Sequence, residues 1–198
     1  MVKRWWFLGG LCLALVLAGG ADAAAQATAG GQSIGRPSTE ALASARGKES
    51  AIRDAKGPDS VTLTPNEMAS LVKANLDLSA KRALDSIRIR LQPGRLAIDA
   101  YLVTSIMGTE FLGPIALMLQ PLEPMTVAGP ARAIKAGLMA WQPDSFTIRS
   151  FAFPQTTIPR LVQQLTGSAD GTIPIVVPPT VRQIRIQPNG VTFSRRAG

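Results

Sequence analysis

The 198-residue chain is 46% hydrophobic and 17% charged, a size and composition typical of one globular domain with its own core. It contains no His and a single cysteine, Cys12, which excludes Ser-His-Asp and Cys-His catalytic groups, His-ligated zinc, four-cysteine metal sites and internal disulfides. The net charge of +8 favours anionic partners, but an aromatic content of 5% is not that of a nucleic-acid-binding surface, so no nucleic-acid partner is expected.

Residues 1–23 have the organisation of a secretory signal peptide. A positive segment at residues 1–4 precedes an apolar run at 5–18, and the small-residue sequence A-D-A at 21–23 provides a cleavage site. The run is shorter than the roughly 20 residues that span a bilayer; a retained N-terminal anchor is the alternative. Cys12 lies inside the run, which does not favour a lipoprotein. We expect the rest of the chain to be exported, to the periplasm or the outer face of the inner membrane.

Residues 24–57 are predicted to form a flexible tether, in which the Ala-rich residues 41–56 are compatible with a transient helix. They are rich in Ala, Gly, Ser and Thr, and their large apolar side chains, Ile34, Leu42 and Ile52, are isolated from one another. Such a segment has too little apolar surface to offset the entropy lost on ordering. We therefore expect a single folded domain over residues 58–198.

The first predicted helix begins at a clear capping signal. Thr64 is a suitable N-cap, Pro65 suits the first helical position, and Glu67 completes the pattern of a capping box. Apolar residues then follow at i, i+3, i+4 and i+8, which indicates one buried helix face. These residues are Met68, Leu71, Val72 and Leu76.

A β-hairpin is predicted next, because residues 86–91 and 96–102 alternate with period two on either side of a Pro-Gly turn. The polar face carries Arg88, Arg90 and Asp99, for which a surface ion pair is favoured over a phosphate clamp. The apolar face carries Ile87, Ile89, Leu91, Leu96, Ile98 and Leu102.

The rest of the chain predicts further short strands, a second helix and a closing hairpin. The helix is indicated by Ile158, Leu161, Val162 and Leu165, and the hairpin by the turn Asn189-Gly190. Residues 131–140 are compatible with a helix as well as with a strand. The strands are predicted at 115–119, 125–127, 138–141 and 146–149. Together these elements predict an α+β fold, a curved, mostly antiparallel sheet of five to seven strands wrapped around two amphipathic helices.

This order of elements, from residue 58 to residue 195, resembles the YpmS-like and LmeA-like bacterial envelope proteins, which are similar to one half of the tubular lipid-binding fold. The resemblance rests on the first-helix context V-T-L-T-P-N-E at 61–67, the segment F-A-F-P at 151–154 before the second helix, and the closing hairpin. The proline-rich stretch at 114–130 departs from it. The resemblance implies a helix wrapped by a twisted sheet, an apolar groove that holds acyl chains, and no catalytic residue.

The expected function is therefore non-catalytic lipid binding in the cell envelope, without a metal or cofactor. Arg88 and Arg90, or alternatively the tail pair Arg195-Arg196, are the candidate head-group contacts. The expected partner is a lipid or a membrane surface, and burial of each methylene contributes about 0.8 kcal/mol. The candidate acyl-chain contacts are Met68, Leu71, Val72, Leu76, Ile87, Ile89, Ile98, Leu102, Ile158, Leu161 and Leu165.

Two other functions remain open at this point. One is a structural or adaptor module with a filled core that engages an envelope protein complex. The other is an enzyme. Ser70 and Lys73 match an S-x-x-K spacing, for which a solvated helix face is the favoured interpretation. Asp85, Asp99 and Glu110 are candidate carboxylates for glycosidic chemistry, which needs two of them within about 5–9 Å.

Overall fold

The chain folds into helices and curved antiparallel sheets, so the predicted α+β class is confirmed. The computed structural model describes residues 28–29, 32–76, 78–106, 118–166, 168 and 171–195. The helices are α1 Thr39–Arg53, α2 Pro65–Asn75, α3 Leu78–Ala83 and α4 Ile158–Thr166. The strands are β1 Thr28–Ala29, β2 Gln32–Gly35, β3 Ser60–Leu63, β4 Leu84–Gln92, β5 Arg95–Val103, β6 Leu122–Lys135, β7 Leu138–Trp141, β8 Ser145–Ile148, β9 Phe151–Ala152, β10 Ile173–Val176, β11 Gln183–Gln187 and β12 Gly190–Ser194.

The strands form two sheets, both curved and antiparallel. The larger has the order β1-β2-β4-β5-β6-β7-β10, with β8 paired to β6 and β9 paired to β8. The smaller has the order β11-β12-β3, so the closing hairpin pairs with the strand that precedes α2. The larger sheet thus has nine strands among the described residues, more than the five to seven expected.

The hairpin predicted at residues 86–102 is confirmed as β4 and β5 in the middle of the larger sheet. Ile89 lies opposite Ile98, and Leu91 lies opposite Leu96. The pairing of β4 with β5 has a register shift, which lies on β4 between Asp85 and Arg88. The closing hairpin is confirmed as β11 and β12, where Gln187 pairs with Gly190 across the turn.

The middle of the chain forms longer strands than its prolines suggested. The short strand predicted at 125–127 belongs to the 14-residue β6. The alternative helix at 131–140 is wrong, since β6 and β7 form a hairpin whose turn contains Gly137 at φ +80°. Residues 115–117 of the strand predicted at 115–119 lie outside the described residues.

Both predicted helices are confirmed as α2 and α4. The capping box forms, because Glu67 N–H donates to Thr64 Oγ1 at 3.3 Å and Thr64 N–H donates to Glu67 Oε2 at 2.7 Å. The apolar stripes of α2 and α4 pack on the core between the helices and the sheets.

The predicted tether is wrong for residues 32–57, which fold onto the domain. Strand β2 pairs with β4, and α1 packs along α2 and β3 with Ala45 and Ile52 fully buried, at 0% exposed. Arg195 fixes the far end of α1 by donating hydrogen bonds to the carbonyl oxygens of Ile52 (2.8 Å) and Ala55 (3.1 Å). A few close contacts thus order a segment that is poor in large apolar residues.

The predicted leader, residues 1–23, lies outside the described residues. In the ranges that the structure describes, no helix is long and apolar enough to cross a membrane.

Candidate functional site

An open groove of about 660 Å³ lies where the start of α1 meets the end of α2, α3 and the start of β4. This volume is in the range of small-molecule binding sites. Its walls come from two parts of the chain, residues 37–42 and residues 70–87. The lining residues are Pro37, Ser38, Thr39, Leu42, Ser70, Lys73, Ala74, Leu76, Lys81, Leu84, Asp85, Ser86 and Ile87.

The apolar part of the groove is formed by four aliphatic side chains, Leu42, Leu76, Leu84 and Ile87. Ile87 is buried, whereas the three leucines are only partly buried. Leu76 and Leu84 pack against the core from outside it. The groove therefore leaves aliphatic surface accessible that a ligand would remove from water.

Three charged residues line the same groove: Lys73, Lys81 and Asp85. Lys81 Nζ donates to the carbonyl oxygen of Ala74 at 3.1 Å, at the carboxyl end of α2, where a cation is favoured. All three side chains are exposed, and none of the ion pairs found among the described residues includes any of them. Their charges are therefore available to a ligand.

A backbone irregularity shapes the β4 wall of the groove. Ser86 adopts the left-handed conformation at φ 52°, which costs a non-glycine residue on the order of 1 kcal/mol. It lies in the interval where the register of β4 and β5 shifts. Successive residues of a regular strand face opposite sides, yet residues 84–87 all line the groove. The bulge brings Asp85 and Ser86 to the same wall as Leu84 and Ile87.

The hydroxyl of Ser70 joins α2 to the start of α1 and is not a free nucleophile. Its Oγ accepts a hydrogen bond from Ser38 N–H at 3.0 Å and donates to the carbonyl oxygen of Asn66 at 2.8 Å. Ser70 is 3% exposed, so the predicted solvated face is wrong for Ser70, although Lys73 is exposed. The hydrogen bonds account for Ser70 as a structural residue.

Glu67 is a buried carboxylate that ties α1 to α2, the two helices that contribute to the groove. It is 5% exposed, Lys48 Nζ lies 2.7 Å from Oε2, and Ser44 Oγ donates to Oε1 at 2.5 Å. Burial raises the pKa of Glu67, but the hydrogen bonds from Lys48, Ser44 and Thr64 and the charge of Lys48 outweigh it, so the pKa lies below its ordinary value. Glu67 therefore stays ionised and holds the groove wall.

Most of the predicted acyl-chain contacts are core residues. Leu71, Val72 and Ile98 are partly buried against the core, and the side chain of Leu165 lies outside the described residues. Only two of the described candidates, Leu76 and Ile87, line the groove. The buried candidates that do not line it are Met68, Ile89, Leu102, Ile158 and Leu161.

The predicted head-group arginines Arg88, Arg90 and Arg195 do not line the groove, and Arg196 lies outside the described residues. Arg88 is exposed, and Arg90 makes the cross-strand ion pair that the sequence favoured, with Nε 2.6 Å from Asp99 Oδ2 and Nη2 2.8 Å from Oδ1. The hydrogen bonds to Asp99 raise the pKa of the Arg90 guanidinium. Thr126 Oγ1 also donates to Asp99, at 2.7 Å. Arg90 is therefore already satisfied within the sheet.

The structure describes two of the three candidate carboxylates. Asp99 is held by Arg90, Asp85 lines the groove, and Glu110 lies outside the described residues. Within the described ranges, no three His, Cys, Asp or Glu side chains cluster to hold a metal ion.

Sequence reasoning missed Leu42, Lys81, Leu84 and Ser86 as groove residues. Leu42 belonged to the expected tether, and an uninterrupted alternation through residues 86–91 gave no signal for the bulge at Ser86. The cationic stretch K-R at 81–82 was the one available signal.

No protein-family model, curated protein or solved structure matches the chain. The similarity to YpmS-like and LmeA-like proteins therefore stays a prediction.

Proposed function

We propose that the protein is an exported, non-catalytic lipid-binding domain of the cell envelope, and that the groove between α1, α2, α3 and β4 is its ligand site. The observation that carries this proposal is the combination, in one groove of about 660 Å³, of accessible aliphatic side chains with unpaired cations. An acyl chain requires the first and an anionic head group the second.

The tail would contact Leu42, Leu76, Leu84 and Ile87. Each methylene that the groove removes from water contributes about 0.8 kcal/mol, and micromolar binding corresponds to about 8.2 kcal/mol, so burial of roughly ten methylenes is needed for it. Five of the other predicted positions are buried in the core, which supports this groove as the place of the tail: Met68, Ile89, Leu102, Ile158 and Leu161.

The head group would meet Lys73 and Lys81, in place of the arginines expected from the sequence. Ser38 and Thr39 add the amino end of the 15-residue helix α1 to the same wall, where the helix dipole favours negative charge. The site therefore favours a negatively charged group next to an aliphatic tail.

Titration of the purified protein with a fluorescent fatty acid tests this proposal. We expect saturable binding at micromolar concentration, and Leu42→Gln to weaken it by about tenfold, since burial of a leucine side chain is worth about 1.5–3 kcal/mol. Val176→Gln is the matched control, because Val176 is 81% exposed and does not line the groove. Equal loss in both variants, or no saturable binding, would overturn the proposal.

The adaptor function is the second candidate, favoured by the filled core and by exposed apolar residues on the sheets. Phe151 on the terminal strand β9 and Ile134 near the end of β6 are both exposed. A protein that binds no lipid in the titration, while retaining its fold, would favour this candidate.

A further inference from the structure

We propose that the groove selects a lipid head group that carries both a phosphate and a primary ammonium, that is, a phosphoethanolamine-type zwitterion. This inference rests on the proposed lipid-binding function and adds the class of head group to it.

The side chains that line the groove carry charges of both signs. Of the described residues that line it, Lys73 and Lys81 are cationic and Asp85 is anionic. A site for a fatty acid or a purely anionic phospholipid needs only the lysines. A carboxylate in the same groove repels such ligands and attracts an ammonium group.

The lysine charges and the Asp85 charge do not neutralise one another. Neither lysine forms an ion pair with Asp85, although the four ion pairs found elsewhere in the described ranges show that basic and acidic side chains of this domain pair where they are close. Two separated charges of opposite sign on one groove match a ligand whose own charges are separated by a short linker.

Asp85 reaches the groove through the bulge in β4. The bulge places residues 84–87 on one wall, so the carboxylate of Asp85 adjoins the aliphatic side chains of Leu84 and Ile87. One carboxylate oxygen, Oδ1, accepts the Ser86 N–H at 2.7 Å, which orients the group. The other carboxylate oxygen has no hydrogen bond among the described residues, which leaves an acceptor for an ammonium N–H.

A primary ammonium differs from a quaternary one in its ability to donate hydrogen bonds to the Asp85 carboxylate. Three N–H donors can satisfy a carboxylate directly, whereas a trimethylammonium group has none. The site should therefore also discriminate against phosphocholine.

Short-chain phospholipids that differ only in head group test the inference. Dihexanoyl phosphatidylethanolamine, phosphatidylglycerol and phosphatidylcholine are titrated separately into the full chain by displacement of the fluorescent fatty acid. We expect the ethanolamine lipid to bind about fivefold more tightly than either of the others, the size of one solvent-exposed ion pair. Asp85→Asn should abolish this preference, and Lys73→Gln should weaken all three lipids.

Asp54→Asn is the matched control, because Asp54 is exposed at the opposite end of α1 from the groove and should leave the preference unchanged. Binding of all three lipids with equal affinity, or a preference that survives Asp85→Asn, would overturn the head-group inference and leave lipid binding intact. Absence of binding by every lipid and by the fatty acid would overturn the proposed function as well.

Discussion

Lys48 Nζ lies 2.7 Å from Oε2 of the buried Glu67, which joins α1 to α2. Lys48 also donates to the carbonyl oxygen of Thr62 at 2.9 Å, so one ammonium group connects α1 with β3 and α2. Because α1 carries Leu42 and α2 carries Lys73, this contact holds the two walls of the groove together.

Removal of the Lys48 ammonium should therefore destabilise the fold. Lys48→Met leaves Glu67 buried without its counter-charge, and we expect a loss of about 2 kcal/mol, below the roughly 3–5 kcal/mol of a fully buried pair because Lys48 is partly exposed. Urea unfolding followed by circular dichroism measures it. Arg46→Met is the control, because Arg46 also lies on α1 but is exposed and is in none of the ion pairs found among the described residues; equal loss in both variants would contradict the role of the contact.

The same carboxylate makes stability depend on pH. The pKa of Glu67 is lower in the folded chain than its ordinary value of 4.5, so the folded state binds the proton less tightly than the unfolded state. The stabilisation is therefore complete above pH 4.5 and is lost as the pH falls through the folded-state pKa. Glu67→Gln should flatten this part of the curve of unfolding free energy against pH. Curves of equal slope for the two proteins below pH 4.5 would be evidence against the assignment.

A second buried carboxylate should be equally sensitive to its partner. Glu123 is 1% exposed and accepts two hydrogen bonds from Arg149, at 2.7 and 3.0 Å. We expect Arg149→Ala to cost about 2–3 kcal/mol, because it leaves the carboxylate without its counter-charge. Arg95→Ala breaks the exposed pair with Asp144 and should cost less than about 1 kcal/mol. The order of the two unfolding free energies is the measurement, and a reversed order would contradict it.

Two glycines should respond to alanine in opposite directions. Gly47 lies inside α1 with nothing within 4 Å of an added Cβ, so Gly47→Ala should stabilise the protein by about 0.5–1 kcal/mol. A Cβ on Gly129 would lie 2.1 Å from the carbonyl oxygen of Gln142, so Gly129→Ala should destabilise by about 1–3 kcal/mol. Thermal unfolding compares them. A destabilised Gly47→Ala would argue that residues 39–53 are not a packed helix.

The elements that the sequence predicted correctly are those with a strong local pattern. The Thr64 and Glu67 capping box, the alternation of β4 and β5, and the turn at Asn189 each involve residues close together in the chain. Local hydrogen bonds and periodic burial decide such elements, so their residue types carry the information.

The elements that the sequence missed depend on contacts between distant segments. Helix α1 is fixed by Glu67, 19 residues beyond Lys48, and by Arg195, 143 residues beyond Ile52. Neither pair fits into the 11–18-residue windows in which periodic patterns are recognised. The groove has the same origin, because Leu42, Lys73 and Ser86 meet only after α1 has docked and β4 has formed its bulge.

The most direct test of lipid binding is native mass spectrometry of the full chain, expressed with residues 1–23 and purified from the cell fraction that contains it, before and after addition of phospholipid. We expect one lipid adduct per chain, released by mild organic extraction and reduced in the Leu42→Gln variant but not in Val176→Gln. A bare protein mass in both samples would contradict lipid binding in the groove and would favour the adaptor function.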